Sequence, residues 1–166
     1  MPAVADSSVI IHLAAIGRLG LLRQFHGSLQ VPPAVWDEVV TQGQGRPGSQ
    51  ELTEAVADGW VAVATPKSSV QLPTGGATLH AGESEALRLA ASSAGLPLLM
   101  DEAAGRAVAA SLGIPVMGTI GILVAAKHSG LIPQLKPVLE QLRNPGGFRL
   151  SAAVFQHALA LVGEQP

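Results

Sequence analysis

Apolar positions along the chain fall into short continuous runs that alternate with longer segments of helical periodicity. The first run, Ala3-Val4-Ala5, ends in Asp6, and Ser7 and Ser8 follow before apolar positions resume at Val9. This predicts a buried strand whose carboxyl end delivers Asp6, with Ser7 or Ser8 capping the next helix. Val9–Ile16 and Leu19–Phe25 read as one or two helices broken near Gly17 and Gly20, with His12 expected in packing or in solvent. Ser28–Val31 is a second strand, and Pro32-Pro33 stops it and starts the helix Ala34–Val40. That helix turns Val35, Trp36 and Val39 toward a core, with Glu38 beside the apolar stripe and Asp37 facing solvent. An acid beside an apolar stripe needs a partner or a metal.

The alternation continues. Gln42–Ser49 is a Gly-rich surface loop, Glu51–Ala57 a helix, and Trp60–Val63 a strand. Thr65–Thr78 carries Pro, Ser and Gly without period, a long loop that serves as a connector or flanks a site. Gly82 leads into a helix through Ala90 that holds Glu83 and Glu85 in its first turn, where the helix dipole favours anions. Glu83 shares the face of Ala86, Leu87 and Ala90, while Glu85 is angled away. Leu96–Met100 repeats the opening logic: an apolar strand, then Asp101 and Glu102, then the helix Ala103–Leu112 with Arg106. Ile114–Met117 is a further strand, and Gly118-Thr119-Ile120-Gly121 opens a helix through Lys127. That turn is too short for a P-loop or a dinucleotide fingerprint, so close packing and capping by Thr119 is its expected role. Gln134–Leu142 is amphipathic, Asn144–Gly147 a turn, and Phe148–Leu150 extended. Ser151 caps a last helix to Val162, whose apolar face docks on the body or on another subunit.

Strands alternating with helices imply an α/β fold, a mostly parallel sheet covered on both faces. At 166 residues the chain suits one domain, residues 1–166, with no repeat or linker dividing it. Hydrophobic content of 48% against 13% charged residues indicates a packed chain. There is no cysteine, which removes thiolate metal sites and thiol catalysis. No secretory signal and no membrane-length apolar run is evident, so a soluble, cytoplasmic protein is expected. The formal net charge of -2, with no basic run and few aromatic residues, argues against broad nucleic-acid coating and against a base-stacking platform.

Asp6 and Asp101 thus fall at strand ends, Glu38 on a helix, and Glu83 at a helix start. Asp6 alone would pass for a helix cap. Asp101 would lie close to it if the two strands are neighbours. Four carboxylates converging without basic neighbours repel one another, and burial raises their pKa values. A divalent cation resolves this, and Mg²⁺ or Mn²⁺ are the ions that take an all-oxygen site. Such a site suits in-line phosphodiester hydrolysis without a covalent nucleophile.

The ordered set of Ala5-Asp6-Ser7-Ser8, Val31–Val39, Gly82–Leu87, Met100-Asp101-Glu102 with Arg106, and Gly118–Gly121 before Ala126-Lys127 resembles PIN-domain proteins. Within them it is most similar to the VapC-like branch of toxins, and the likeness spans nearly the whole chain. The resemblance implies a three-layer α/β/α domain and a metal-dependent endoribonuclease. It further implies a homodimer, an RNA substrate, and restraint by a small antitoxin. The family's acids would fall on Asp6, Glu38, Glu83 and Asp101, with Ser8 supporting the first. Two departures stand out: Glu83 replaces the more usual Asp, and Glu102 follows Asp101 directly, so which of these two faces the metal is open. Arg106 contacts RNA phosphate or pairs with Glu102. A PIN-like binding or interaction module without catalysis is the alternative. A metal-dependent phosphatase would want a second Asp two residues after the first, where Ser8 stands.

Overall fold

Each predicted apolar run becomes a very short strand, fully buried at the central Ala3–Ala5 and Leu98–Leu99 and partly exposed at the sheet edges, Val61–Val63 and Val116–Met117. The computed structural model describes residues 1–67, 69–73, 78–93 and 95–166. Among the described residues the strands are β1 (Ala3–Ala5), β2 (Leu29–Val31), β3 (Val61–Val63), β4 (Leu98–Leu99) and β5 (Val116–Met117). They pair in parallel in the order β3-β2-β1-β4-β5, with Ala3 opposite Leu29 and Ala5 opposite Leu99.

Helices cover both faces of this sheet. They are α1 (Ser7–Ala15), α2 (Gly20–His26), α3 (Pro33–Trp36), α4 (Ser49–Ala57), α5 (Ala81–Ser92), α6 (Ala103–Ser111), α7 (Thr119–His128), α8 (Leu135–Arg143) and α9 (Ala152–Leu161). Successive strand residues point to opposite faces. Ala3 and Ala5 of β1 join a large core with α1, α2, α4 and α7–α9, whereas Val4 joins a smaller one with Ala86, Leu87 and Ala90 of α5 and Ala109 of α6. Leu99 of β4 faces the first core and Leu98 the second. The result is the expected three-layer α/β/α architecture. No helix among the described residues is long and apolar enough to cross a membrane.

The strand order reverses direction between β1 and β4. In open α/β sheets, ligands bind outside the carboxyl ends of the strands at such a switch point. Asp6 follows β1 there, and Asp101 and Glu102 follow β4 after the single intervening residue Met100.

Several local expectations change in detail. The helix expected over Ala34–Val40 runs on from α3 as a single wide π turn over Asp37–Thr41, which carries Glu38. Asp6, not a serine, is the residue preceding α1, and Ser7 and Ser8 form its first turn. Thr119 begins α7 after Gly118 instead of capping it. Ser151 does cap α9, its hydroxyl accepting from the Val154 amide at 3.1 Å. Ala158 and Leu159 of α9 are buried with Leu135, Val138 and Leu139 of α8, so both helices dock on the body. Part of the expected Thr65–Thr78 loop lies outside the described residues.

Candidate active site

The first turn of α1 organises a groove of about 440 Å³ at the switch point, lined by Asp6, Ser7, Ser8, Glu38, Glu83 and Glu102 together with His80. Strand β1 is fully buried, so the residue that leaves it is carried to the sheet's edge beneath the helices. Asp6 is 3% exposed there. Its Oδ2 accepts from the Ser8 hydroxyl at 3.1 Å. Glu83 enters from the first turn of α5 and is also buried. Glu38 reaches in from the π turn, a local widening that occurs often at functional sites. Glu102, the residue before α6, is exposed at the rim.

Glu38 is held from two directions. Its Oε2 accepts from the Ser7 hydroxyl at 2.6 Å and its Oε1 from the Gly82 amide at 3.0 Å. A Cβ on Gly82 would lie 2.7 Å from Glu38 Oε1 and 2.8 Å from Oε2, so a side chain there would force the carboxylate away. Glu85 points elsewhere: its Oε2 accepts from the Ala34 amide at 2.8 Å and serves the start of α3.

The electrostatics follow from burial and crowding. Burial pushes the Asp6 carboxyl above its ordinary value; the Ser7 amide and the Ser8 hydroxyl oppose this, and the charge of Glu38 adds to the rise. Burial likewise raises Glu83, helped by Asp6 and Glu102 and opposed by the exposed His80. Each acid therefore stands in the field of another.

Asp101 is placed differently although it adjoins Glu102. Its Oδ1 accepts from the Thr119 amide and its Oδ2 from the Thr119 hydroxyl, each at 2.7 Å. The His12 ring lies 2.9 Å from the same Oδ2. Burial would raise this carboxyl, but His12 and the two Thr119 donors outweigh it and leave it below its ordinary value. Asp101 lines a second groove, with Arg106. The two acids at the strand ends are still near neighbours, since Ser8 Oγ donates to Asp6 and accepts from the Asp101 amide at 3.4 Å.

The fold thus brings Asp6, Glu38, Glu83 and Glu102 together and turns the Asp101 side chain into a neighbouring cage. Among the described residues, no three His, Asp or Glu side chains stand ready to close on one ion. Arg106 donates to the Met100 carbonyl at 3.2 Å, and no Arg106–Glu102 ion pair forms within 4 Å among the described residues. His12, expected in packing or solvent, packs edge-on against Phe148 at 4.8 Å and in addition bonds Asp101. No sequence pattern pairs His12 with an acid 89 residues on, or Ser7 with one 31 residues on.

A family model described as a PIN domain matches residues 2–164. The chain belongs to the PIN-domain family. PIN domains are typically nucleases and generally use divalent metals, and the acids at this domain's switch point are the groups such chemistry needs. No curated protein matches the chain.

Proposed function

We propose that this PIN domain is a Mg²⁺- or Mn²⁺-dependent endoribonuclease whose cation is held by Asp6, Glu38, Glu83 and Glu102. The observation that carries the reading is the pair of buried acids, Asp6 and Glu83. Both are raised by burial and by neighbouring carboxylates; hydrogen bonds from Ser7 and Ser8 oppose the rise at Asp6, and His80 opposes it at Glu83, without outweighing burial at either. Such a set is costly unless a counter-charge enters, and oxygen donors alone suit a hard divalent ion. Once bound, the ion supplies a more acidic water and stabilises charge on the leaving oxygen of the phosphodiester. The chain's own residues do the positioning. Ser8 orients Asp6, Ser7 and the Gly82 amide hold Glu38, and Thr119 with His12 pins Asp101 so that β4 ends with Glu102 at the groove. In this reading Asp101, the fourth acid implied by the resemblance, anchors the strand end while Glu102 takes the ligand position.

The VapC-like pattern of residues further supports a toxin component of a type II toxin–antitoxin system. Such a protein is a cytoplasmic homodimer restrained by a small antitoxin. A small gene overlapping this one would agree with that role. The test of the nuclease reading is cleavage of structured RNA by the purified chain with and without Mn²⁺, using Asp6→Asn and Glu83→Gln as controls. Metal-dependent cutting that both controls lose is the expected result; cutting that survives both substitutions overturns the assignment. One observation favours a second reading, a PIN-like module without catalysis: among the described residues no three of these side chains are arranged as a closed cation site. Such a module would bind RNA or protein with or without Mn²⁺ and cut neither.

A further inference from the structure

The groove beside Asp101 has a chemistry of its own. It encloses about 470 Å³ on the other side of the β4 end, and Arg106, Arg149, Phe148 and Met117 line it. Its apolar wall is open: Met117 is 41% exposed and Val154, also lining it, 46%. Exposed apolar side chains on a soluble surface are unremarkable singly, but here two share a groove with a half-buried phenyl ring and two guanidinium groups. The His12 edge contact to Phe148 fixes that ring in place.

Neither arginine forms an ion pair among the described residues. The ion pairs among the described residues are His12–Asp101 and Lys127–Glu164, so neither arginine has a carboxylate within 4 Å. Asp101 shares the groove, but Thr119 and His12 already engage both of its oxygens. Arg106 spends one donor on the Met100 carbonyl, and a guanidinium has five. Gly118 keeps this corner open, since a Cβ there would lie 2.7 Å from Arg106 Nη1 and 2.8 Å from Asp101 Oδ1. The groove also abuts the acidic one: the Ser8 hydroxyl touches both Asp6 and the Asp101 amide, and Asp101 and Glu102 are consecutive.

An apolar and aromatic wall beside unpaired guanidinium groups matches one ligand unit, a nucleotide with its base and its phosphate. We propose that this groove seats the nucleotide adjoining the scissile phosphate, its phosphate on Arg106 and Arg149 and its base against Phe148 and Met117. A base can lie on such a wall only when it is unstacked, so the seat selects single-stranded RNA over a duplex. A single seat of this kind is compatible with a net charge of -2, because it needs two local cations and no basic face. The proposal rests on the nuclease reading above.

The test measures binding of a short labelled single-stranded RNA, and of its duplex, by fluorescence anisotropy across a salt series. An Asp6→Asn background blocks cutting, and cleavage kinetics are followed in the otherwise native chain. Arg149→Met is the main variant, since Arg149 is exposed and its loss leaves the core intact. Single-strand binding is expected to weaken roughly tenfold, and the slope of log K against log salt to become shallower by about 0.7, the share of one phosphate contact on a single strand. KM should rise with kcat nearly unchanged, and Arg149→Lys should recover most of the binding. A parent chain that binds and cuts RNA while Arg149→Met matches it in affinity and salt slope overturns the seat alone. A parent chain that neither binds nor cuts RNA overturns the nuclease reading and the seat together.

Discussion

Asp101 and Glu83 are both carboxylates at the switch point, one after β4 and one in the first turn of α5, yet the fold treats them in opposite ways. Asp101 receives a backbone amide, a hydroxyl and an imidazole. Glu83 receives burial and the fields of Asp6 and Glu102. Glu164 belongs with Asp101: the amides of Leu135 and Lys136 donate to it at 2.6 and 3.0 Å, and Lys127 lies 3.9 Å away. Asp6 belongs with Glu83. Folding stabilises one group of ionised acids and works against the other, and proteins keep the second kind where function requires it.

This contrast is easiest to break at Asp6. Asp6→Asn should abolish cleavage, a loss of at least about a hundredfold, and at the same time raise the melting temperature, because it removes a buried charge that its neighbours repel. A calorimetric melt alongside an RNA cleavage assay checks both signs. A drop in stability would mean that Asp6 is held as Asp101 is. Gly82→Ala should come next, lowering activity roughly tenfold by displacing Glu38 from its two donors. Activity equal to that of the native chain would show that the position of Glu38 is immaterial.

On the anchored side, Asp101→Ala strands the Thr119 amide and hydroxyl and the His12 ring. It should cost about 2–3 kcal/mol of unfolding free energy, read from denaturant titration, because hydrogen bonds to a charged group are lost. The smallest effect is expected at Glu164. Glu164→Gln should cost about 1 kcal/mol, the usual scale for loss of a helix N-terminal carboxylate partner. Burial raises the Glu164 carboxyl, but the Leu135 and Lys136 amides and Lys127 outweigh it and hold it below its ordinary value. An acid lowered in the folded state binds fewer protons there than in the unfolded chain. Its contribution is therefore present above the ordinary carboxylate range and lost as pH falls through the folded value. The gap between native and Glu164→Gln melting temperatures should accordingly close on acidification.

Much of the fold was legible because it rests on local signals. Short apolar runs ending in an acid marked β1 and β4, and helical periodicity marked the layers that cover them. The acids at strand ends and helix starts were legible for the same reason, since Asp6, Glu83, Asp101 and Glu102 each follow an apolar run or open a helix. What the pattern could not carry was direction. Consecutive residues leaving a strand diverge, so Asp101 and Glu102 fall into different grooves, and nothing local distinguishes them. The partners that decide their roles, His12 and Thr119 for Asp101 and Ser7 with Gly82 for Glu38, lie 18 to 89 residues away and meet only through the sheet order. The π turn at Asp37–Thr41 was hidden as well, because an apolar stripe passes through it without a break.

The central claim is that Asp6 and Glu83, whose burial outweighs the donors they receive, await a cation, and that Asp101, whose donors outweigh its burial, does not. Titration of the purified chain with Mn²⁺ by calorimetry tests this most directly. The account predicts saturable binding to the native chain, its loss in Asp6→Asn and Glu83→Gln, and its retention within a few-fold in Asp101→Asn. No saturable binding to the native chain, or binding that survives both groove substitutions, would contradict it.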